Sequence, residues 1–431
     1  MTARLAVAVL LCLLWCRCVY RAATQSITID EAFAYNLYLA RPLAETFTNF
    51  DAANHVLYTL FARLSVAVIG PSELAMRLPT LAAAGAYFFA LYRLSRLCFG
   101  KGALFAAAVI LAGMHPLVLD FLSLGRGYGL GLALLTWMLL EGAQENWYRV
   151  GIAAGLAVAA NLIMAFPAAG FLMTWWLLAA RGQRWLVVQQ AGVTAVIAAA
   201  LFLAIPLARV GPEQFYMGAG SLWDSAKSIA AVSGAPDWAG WIVPVLLVSA
   251  AISWLRKDPP VWLFGGILAT LALIVLAHVL AGVPYPYRRT ALYSFPLLTL
   301  AAVALAVRSR WPRIAGLAFF LTIGAGYALQ FTSAGFHEWP QDASMRRIME
   351  RLAAEHRGGA ARAGVHWMLE PGVNFYRQVL GLKWLEPVDR NGPDAGFDYY
   401  VLRAADEELL VRRRLSVIHR DPETGVILAR R

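Results

Sequence analysis

Charge is scarce in this chain. Of its 431 residues only 15% are charged and 60% are hydrophobic, with a mean hydropathy of +0.59. A soluble domain carries about a quarter charged residues, so a water-soluble globular fold is excluded. The apolar residues fall into many runs of about 18–22, the length that crosses a bilayer. Cysteine is scarce as well. Cys12, Cys16 and Cys18 lie in the first apolar run and Cys98 sits beside a basic cluster. None lies in a long polar loop, so there is no disulfide framework, and C-x-C inside an apolar helix reads as core rather than as a metal site. "LLWC" is no lipoprotein cleavage site, because bulky Trp15 precedes Cys16. Acids are the rarer charge, and the formal net charge is +11. The excess Lys and Arg punctuate the ends of apolar runs, as membrane topology demands, so no nucleic acid is implied as a partner. Few acids fall at the mid-depth of a run, where an ion-coupled pump would carry them. Tandem repeats and low-complexity tracts are also missing.

What is present reads as a polytopic, all-α membrane bundle of about eleven spans. The first apolar run, with Arg4 before it and Arg17 and Arg21 at its end, is expected to stay as a helix rather than be cleaved as a signal peptide. Basic clusters at Arg93/Arg96/Lys101, Arg181/Arg184, Arg256/Lys257 and Arg308/Arg310/Arg313 mark the cytoplasmic side. Outward spans are then expected near 103–119, 149–165, 186–208, 261–281 and 314–331, and inward ones near 78–92, 127–141, 167–180, 239–255 and 290–307. Residues 56–69 are short, carry Arg63 and end at "IGPSE", so they are expected to lie along the outer face within an outer loop spanning 22–77. Domain 1–331 is thus the membrane domain. From 332 to 431 hydrophobicity drops and charge rises, which predicts a small extracytoplasmic α/β domain. Its expected elements are a helix with Met345, Ile348, Met349 and Leu352 on one face, and strands in "AGVHWML", "FDYYVL" and "GVILA".

That topology gathers the unusual polar residues at the outer interface. Asp30 and Glu31 follow the first span, adjacent and therefore about 100° apart on a helix, so both cannot aim at one atom. One of them can accept a proton from an attacking hydroxyl while the other orients, caps or holds a cation. Asp30 is also placed to cap the helix "EAFAYNLYLA", with no Glu or Gln to complete a capping box. Asp51, Asn54 and His55 form a second cluster, open to three readings: a helix cap, a divalent-metal site with the acid pair, or a binder of substrate hydroxyls. Arg288 and Arg289 break the positive-inside pattern in "PYPYRRTALY", as a phosphate binder at the outer leaflet or as residues snorkelling to lipid headgroups. Arg126 in "GRGYG" is a weaker candidate of the same kind. His278, within a span, reads as core.

The order of these pieces resembles a known family. Asp30-Glu31 is followed by Asp51, then Asn54-His55-Val56-Leu57-Tyr58, then Ser72-Glu73-Leu74-Ala75-Met76-Arg77-Leu78-Pro79 before a span. "SLGRGYGLGLALL" follows, with Arg126 and Tyr128 as its R-x-Y. Over about the first 180 residues this resembles the GT-C superfamily, in particular bacterial relatives of protein O-mannosyltransferases and of the lipid A aminoarabinose transferase. Val56 stands where many members carry Pro. The resemblance implies transfer of a sugar from a polyprenyl-phosphate carrier to an acceptor hydroxyl on a lipid, glycan or protein, at the outer face of the cytoplasmic membrane and among its lipids. It places catalysis on Asp30 and Glu31, with Asp30 as base, and expects inversion, with Arg288 or Arg289 steadying the phosphate. Asp51, Asn54, His55, Arg126 and Tyr128 complete the expected substrate-binding set. No cofactor is implied with certainty; a divalent metal stays open. Two other classes compete: a flippase or transporter of lipid-linked sugars, which usually carries internal repeats, and a non-catalytic assembly subunit that kept the fold.

Overall fold

The computed structural model describes all residues except 1–2, 49–50, 52, 180–183, 212–213, 215–216, 308–309 and 332–334. Arg181 and Arg308, members of the expected basic clusters, lie outside the described residues. So does residue 332, where the C-terminal domain was expected to begin. Among the described residues six helices are long and apolar enough to cross a membrane: Arg4–Thr24, Glu73–Phe99, Leu162–Ala179, Trp185–Leu207, Asp237–Arg256 and Val261–Ala281. Shorter apolar helices at Ala103–Met114, Trp147–Ala160, Ser294–Ala306 and Gly316–Leu329, with Gly127–Ala143, occupy the places of further expected spans. The protein is a polytopic helical membrane protein. Helices satisfy their own backbone groups, the condition for crossing hydrocarbon. Leu201, Val196 and Leu329 stand bare on their helices, as side chains that meet lipid rather than water do.

One expected span is broken. Residues 103–119 form a helix to Met114 and a second one over Pro116–Phe121, with His115 extended at φ −57°, ψ 125° between them. Pro116 explains the break: its ring drives the preceding residue out of helical geometry and it has no N–H to continue the ladder.

The chain forms two compact units. The first comprises Met1–Tyr20, Phe47–Phe61 and Leu78–Phe331, and the second Arg21–Thr46, Ala62–Arg77 and Thr332–Arg431. In the first unit, small residues let helices approach closely. A Cβ on Gly151 or Gly155 would lie 2.5 Å from Ala191 O or 2.4 Å from Ala195 O, so helix 147–160 packs backbone to backbone on helix 185–207.

The second unit holds a four-stranded sheet: β1 (Ala363–Val365), β2 (Tyr399–Leu402), β3 (Ser416–Arg420) and β4 (Ile427–Arg430), in spatial order β1-β2-β4-β3. β1 and β2 run parallel and the other pairs antiparallel, with Val401 opposite Leu428. Tyr400, Leu402, Leu409, Ile427 and Ala429 form a core. Helix Met345–Glu355 buries Met345, Ile348, Met349 and Leu352, the face read from the sequence. The stretch "AGVHWML" is strand only to Val365 and then turns into helix Glu370–Val379. β3 had no apolar run to announce it, because an edge strand bearing Ser416, His419 and Arg420 need not be hydrophobic.

Candidate active site

The acid pair belongs to the second unit. Thr28, extended at φ −85°, ψ 159°, caps the helix Ile29–Ala34. Glu31 N donates to Thr28 Oγ1 at 3.4 Å, and Thr28 N donates back to Glu31 Oε2 at 3.0 Å. The cap therefore lies at Thr28 rather than Asp30, since Thr28-x-x-Glu31 closes a reciprocal box and satisfies two orphan donors at once. The helix does not run on unchanged to residue 40. It widens into a π-turn over Tyr35–Leu39, with Ala40 N donating to Tyr35 O at 2.9 Å. Arg63, the charge that marked residues 56–69 as a poor span, donates to the carbonyls of Tyr38, within that turn, and Arg41, just beyond it.

Glu31 is fully buried and so is its partner, Arg77. Arg77 Nε donates to Glu31 Oε1 at 2.8 Å and Nη2 to Oε2 at 2.7 Å, a bidentate fork. The rest of the guanidinium donates to Gln25 O at 2.7 Å, Ser26 O at 2.9 Å and Ala22 O at 3.2 Å. Arg77 thus ties the turn after the first helix to the acid pair. The sequence offered a signal, a charge at the start of a span, but no indication of its partner. Asp30, adjacent, is partly exposed.

Two more residues that sequence reasoning missed come from the C-terminal segment. Asp342, 3% exposed, accepts from Ile29 N through Oδ2 at 2.6 Å. Burial pushes its carboxyl up to about 8, and the charges of Asp30 and Glu31 add to this against the Ile29 hydrogen bond and Arg403. Tyr376 accepts from Ile27 N at 2.9 Å and donates to Glu73 Oε1 at 2.7 Å.

The second cluster lies in the first unit. Its framework is the glycine face of helix Gly127–Ala143. A Cβ on Gly127 would stand 2.0 Å from Ala160 O and 2.5 Å from His55 Cβ, so only glycine admits the Ala160 backbone and the His55 side chain there. His55 packs edge-to-face on Tyr128 at 5.1 Å, and Tyr128 lies 4.7 Å from Phe121. Arg126, 3% exposed, begins the same helix in extended conformation. Burial depresses the His55 imidazole well below its usual range, and the Arg126 and Arg289 guanidiniums beside it push the same way. Its Nε2 is buried without a hydrogen-bond partner among the described residues. So is Nδ2 of Asn161, a residue the sequence did not single out; it packs on Gly131, one turn along the glycine face from Gly127.

The structure therefore brings His55, Arg126, Tyr128 and Arg289 together. Asn54 turns aside: its Oδ1 accepts from Thr59 Oγ1 at 3.1 Å. Asp51 holds its own turn, Oδ1 accepting from Ala53 N at 2.7 Å. Arg288 is exposed, left-handed at φ 48°, and fixed by its backbone N donating to Ser228 Oγ at 2.7 Å. His278 is partly buried, stacked on Tyr285 at 4.1 Å with Nδ1 against Val283 O at 2.9 Å. An apolar cavity of about 310 Å³ is lined by Trp223, Trp241, Ile267, Ile274 and Leu297, and by Pro286 and Ala291 on either side of the arginine pair.

A metal shared by the acid pair does not fit this geometry. Glu31 is fully buried and accepts four hydrogen bonds from Arg77 and Thr28, which makes it a charge partner and a cap. Among the described residues no three His, Cys, Asp or Glu side chains gather as a cage.

The Dolichyl-phosphate-mannose-protein mannosyltransferase family matches residues 54–208, the stretch that contains the His55–Arg126–Tyr128 cluster. That match spans 155 of the 431 residues. The fold of the chain matches that of ArnT from Cupriavidus metallidurans bound to undecaprenyl phosphate, with a TM-score of 0.51 and 16% identity over 99% of this chain and 97% of ArnT. The archaeal oligosaccharyltransferase AglB from Archaeoglobus fulgidus, in complex with an inhibitory peptide and a dolichol-phosphate, matches with a TM-score of 0.53 and 12% identity. That match covers 94% of this chain and 70% of AglB. No curated protein matches by sequence.

Proposed function

We propose that this protein is a GT-C glycosyltransferase that moves a sugar from a polyprenyl-phosphate carrier to an acceptor hydroxyl at the outer face of the cytoplasmic membrane, with inversion. The observation that carries the reading is the His55–Arg126–Arg289 cluster: two guanidiniums against an uncharged imidazole, in the unit that also holds the apolar cavity beside the arginine pair. Guanidinium matches phosphate in geometry and charge, and an isoprenoid chain requires apolar lining. ArnT is bound to undecaprenyl phosphate and AglB is in complex with a dolichol-phosphate, both lipid phosphates of the class proposed.

Each residue then has a role. Asp30 is the general base. It takes the acceptor proton as the hydroxyl oxygen bonds to the anomeric carbon from the face opposite the phosphate. The bond between that carbon and the phosphate oxygen breaks, its electrons pass to the carrier phosphate, and Arg126 and Arg289 stabilise the charge that develops. Arg288, exposed beside them, guides the anionic headgroup. His55, kept neutral, and Tyr128 offer hydrogen bonds to the sugar, and Asp51 and Asn54 hold the segment that presents His55. Glu31 holds Asp30 in place through Arg77 and is not itself the base. General-base assistance is worth about 10²–10⁴ in rate. The test is transfer of radiolabelled sugar from a panel of polyprenyl-phosphate sugars by purified protein in bilayers, wild type beside Asp30→Asn. Transfer that collapses in the variant, with membrane insertion intact, supports the reading. Transfer undiminished in the variant removes Asp30 from the mechanism.

A further inference from the structure

We propose that Asp342 is a positioning residue for the acid pair: the C-terminal segment carries it to the first turn of the helix that bears Asp30 and Glu31, and it fixes that turn by accepting from Ile29 N. The proposal rests on the reading of Asp30 as base and extends it to the far end of the chain.

The geometry is a clamp built within the second unit. Ser26 Oγ donates to Ala343 O at 2.9 Å, Ile27 N to Tyr376 at 2.9 Å, Ile29 N to Asp342 at 2.6 Å, and Asn36 Nδ2 to Pro371 O at 3.0 Å. Four residues of the acid-bearing stretch are thus held by residues more than three hundred positions later. Ile29 N is the first donor of the helix and has no partner inside it. Asp342 supplies that partner, so the backbone immediately before Asp30 cannot turn away while the bond stands. Without that acceptor the half-buried Ile29 N–H has no partner within its own helix, and the short turn is free to open.

The surroundings hold the Asp342 carboxyl neutral. The charged groups that face Asp342 are Asp30 and Glu31, from the helix it clamps, and Arg403, at the end of β2. A third carboxylate beside two, in a site closed to water, is held protonated until the pH passes about 8. A neutral carboxyl accepts from Ile29 N through Oδ2 and adds no charge next to the base. Once ionised, it repels Asp30 and Glu31 and loosens the turn they share. Transfer should therefore fall on the alkaline side of about pH 8, with Asp342 as the titrating group.

Two variants of the full-length protein in bilayers separate the possibilities. Asp342→Asn keeps an uncharged acceptor of the same shape; Asp342→Ala removes the acceptor. Amide hydrogen exchange gives the readout that does not depend on activity. In Asp342→Ala, protection over residues 27–34 should drop by about tenfold, the equivalent of one lost hydrogen bond, with β2 unchanged. Asp342→Asn should hold the same protection at pH 7 and pH 9, whereas the wild type loses protection as the pH rises toward about 8. In the transfer assay, Asp342→Ala should lower kcat by about tenfold or more at unchanged carrier KM. Asp342→Asn should match the wild type at neutral pH and lack its alkaline fall. Wild-type protection over 27–34 in Asp342→Ala, or an alkaline fall that persists in Asp342→Asn, overturns the proposal. If the wild type transfers nothing from any donor, the glycosyl-transfer reading fails, while the exchange measurement still decides whether Asp342 holds the turn.

Discussion

Glu31 and Arg77 form a fully buried ion pair, and the consequence of breaking it can be worked from the structure. Glu31→Ala removes the acceptor of four hydrogen bonds and leaves a guanidinium at zero exposure without its carboxylate fork, hydrogen-bonded to three backbone carbonyls and lying 5.3 Å over the Phe336 ring. Loss of one member of a buried pair costs about 3–5 kcal/mol, because the other charge stays buried without compensation. Glu31→Gln keeps an acceptor for Thr28 N but loses the charge, and should cost about 1.5–3 kcal/mol, the worth of a hydrogen bond to a charged group. Arg77→Met should cost as much as Glu31→Ala. The double variant Glu31→Leu/Arg77→Met should cost clearly less than the sum of the singles, since no lone charge remains in the site. The assay is denaturant unfolding in detergent micelles, followed by tryptophan fluorescence, as a double-mutant cycle. Asp30→Asn in the same series should leave stability nearly unchanged while abolishing transfer, which separates the group that holds from the group that reacts. If Glu31→Ala lies within about 0.5 kcal/mol of wild type, the size of an ordinary surface change, then the pair is not the anchor described here.

Three further outcomes are expected. Gly127→Ala forces a methyl within 2.0 Å of Ala160 O, a backbone atom that cannot step aside, and should cost about 1–3 kcal/mol and displace His55; the check is thermal unfolding together with carrier KM. The folded His55 value lies below 6.5, so the folded state binds fewer protons than the unfolded chain as the pH drops. The stability His55 contributes is therefore present above about pH 6.5 and is lost below it. His55→Gln should flatten that acid slope, and an imidazole resonance titrating at the ordinary value would refute the burial of His55 beside Arg126 and Arg289. Arg289→Gln should raise the carrier KM about tenfold or more, with a weaker dependence on salt, because one charge-assisted contact to a phosphate is lost; an unchanged KM in bilayer assays removes Arg289 from phosphate binding.

The membrane class of this protein was legible in the sequence because a bilayer imposes a one-dimensional rule: hydrophobic length against thickness, with basic residues at the ends. The helix face of Met345, Ile348, Met349 and Leu352 was legible for the same kind of reason, a fixed period along a single element. Asp30-Glu31 and the His55, Arg126 and Tyr128 motifs were visible as rare polar residues in a greasy chain. Tertiary structure decided how those residues are used. Thr28 rather than Asp30 caps the helix, since the choice depends on which reciprocal box can close. Glu31 belongs to Arg77, 46 positions away, and Ile29 to Asp342, 313 positions away. Such pairings leave no periodic trace, because a buried charge or N–H accepts a partner from anywhere the folded chain passes, and only the fold determines where that is.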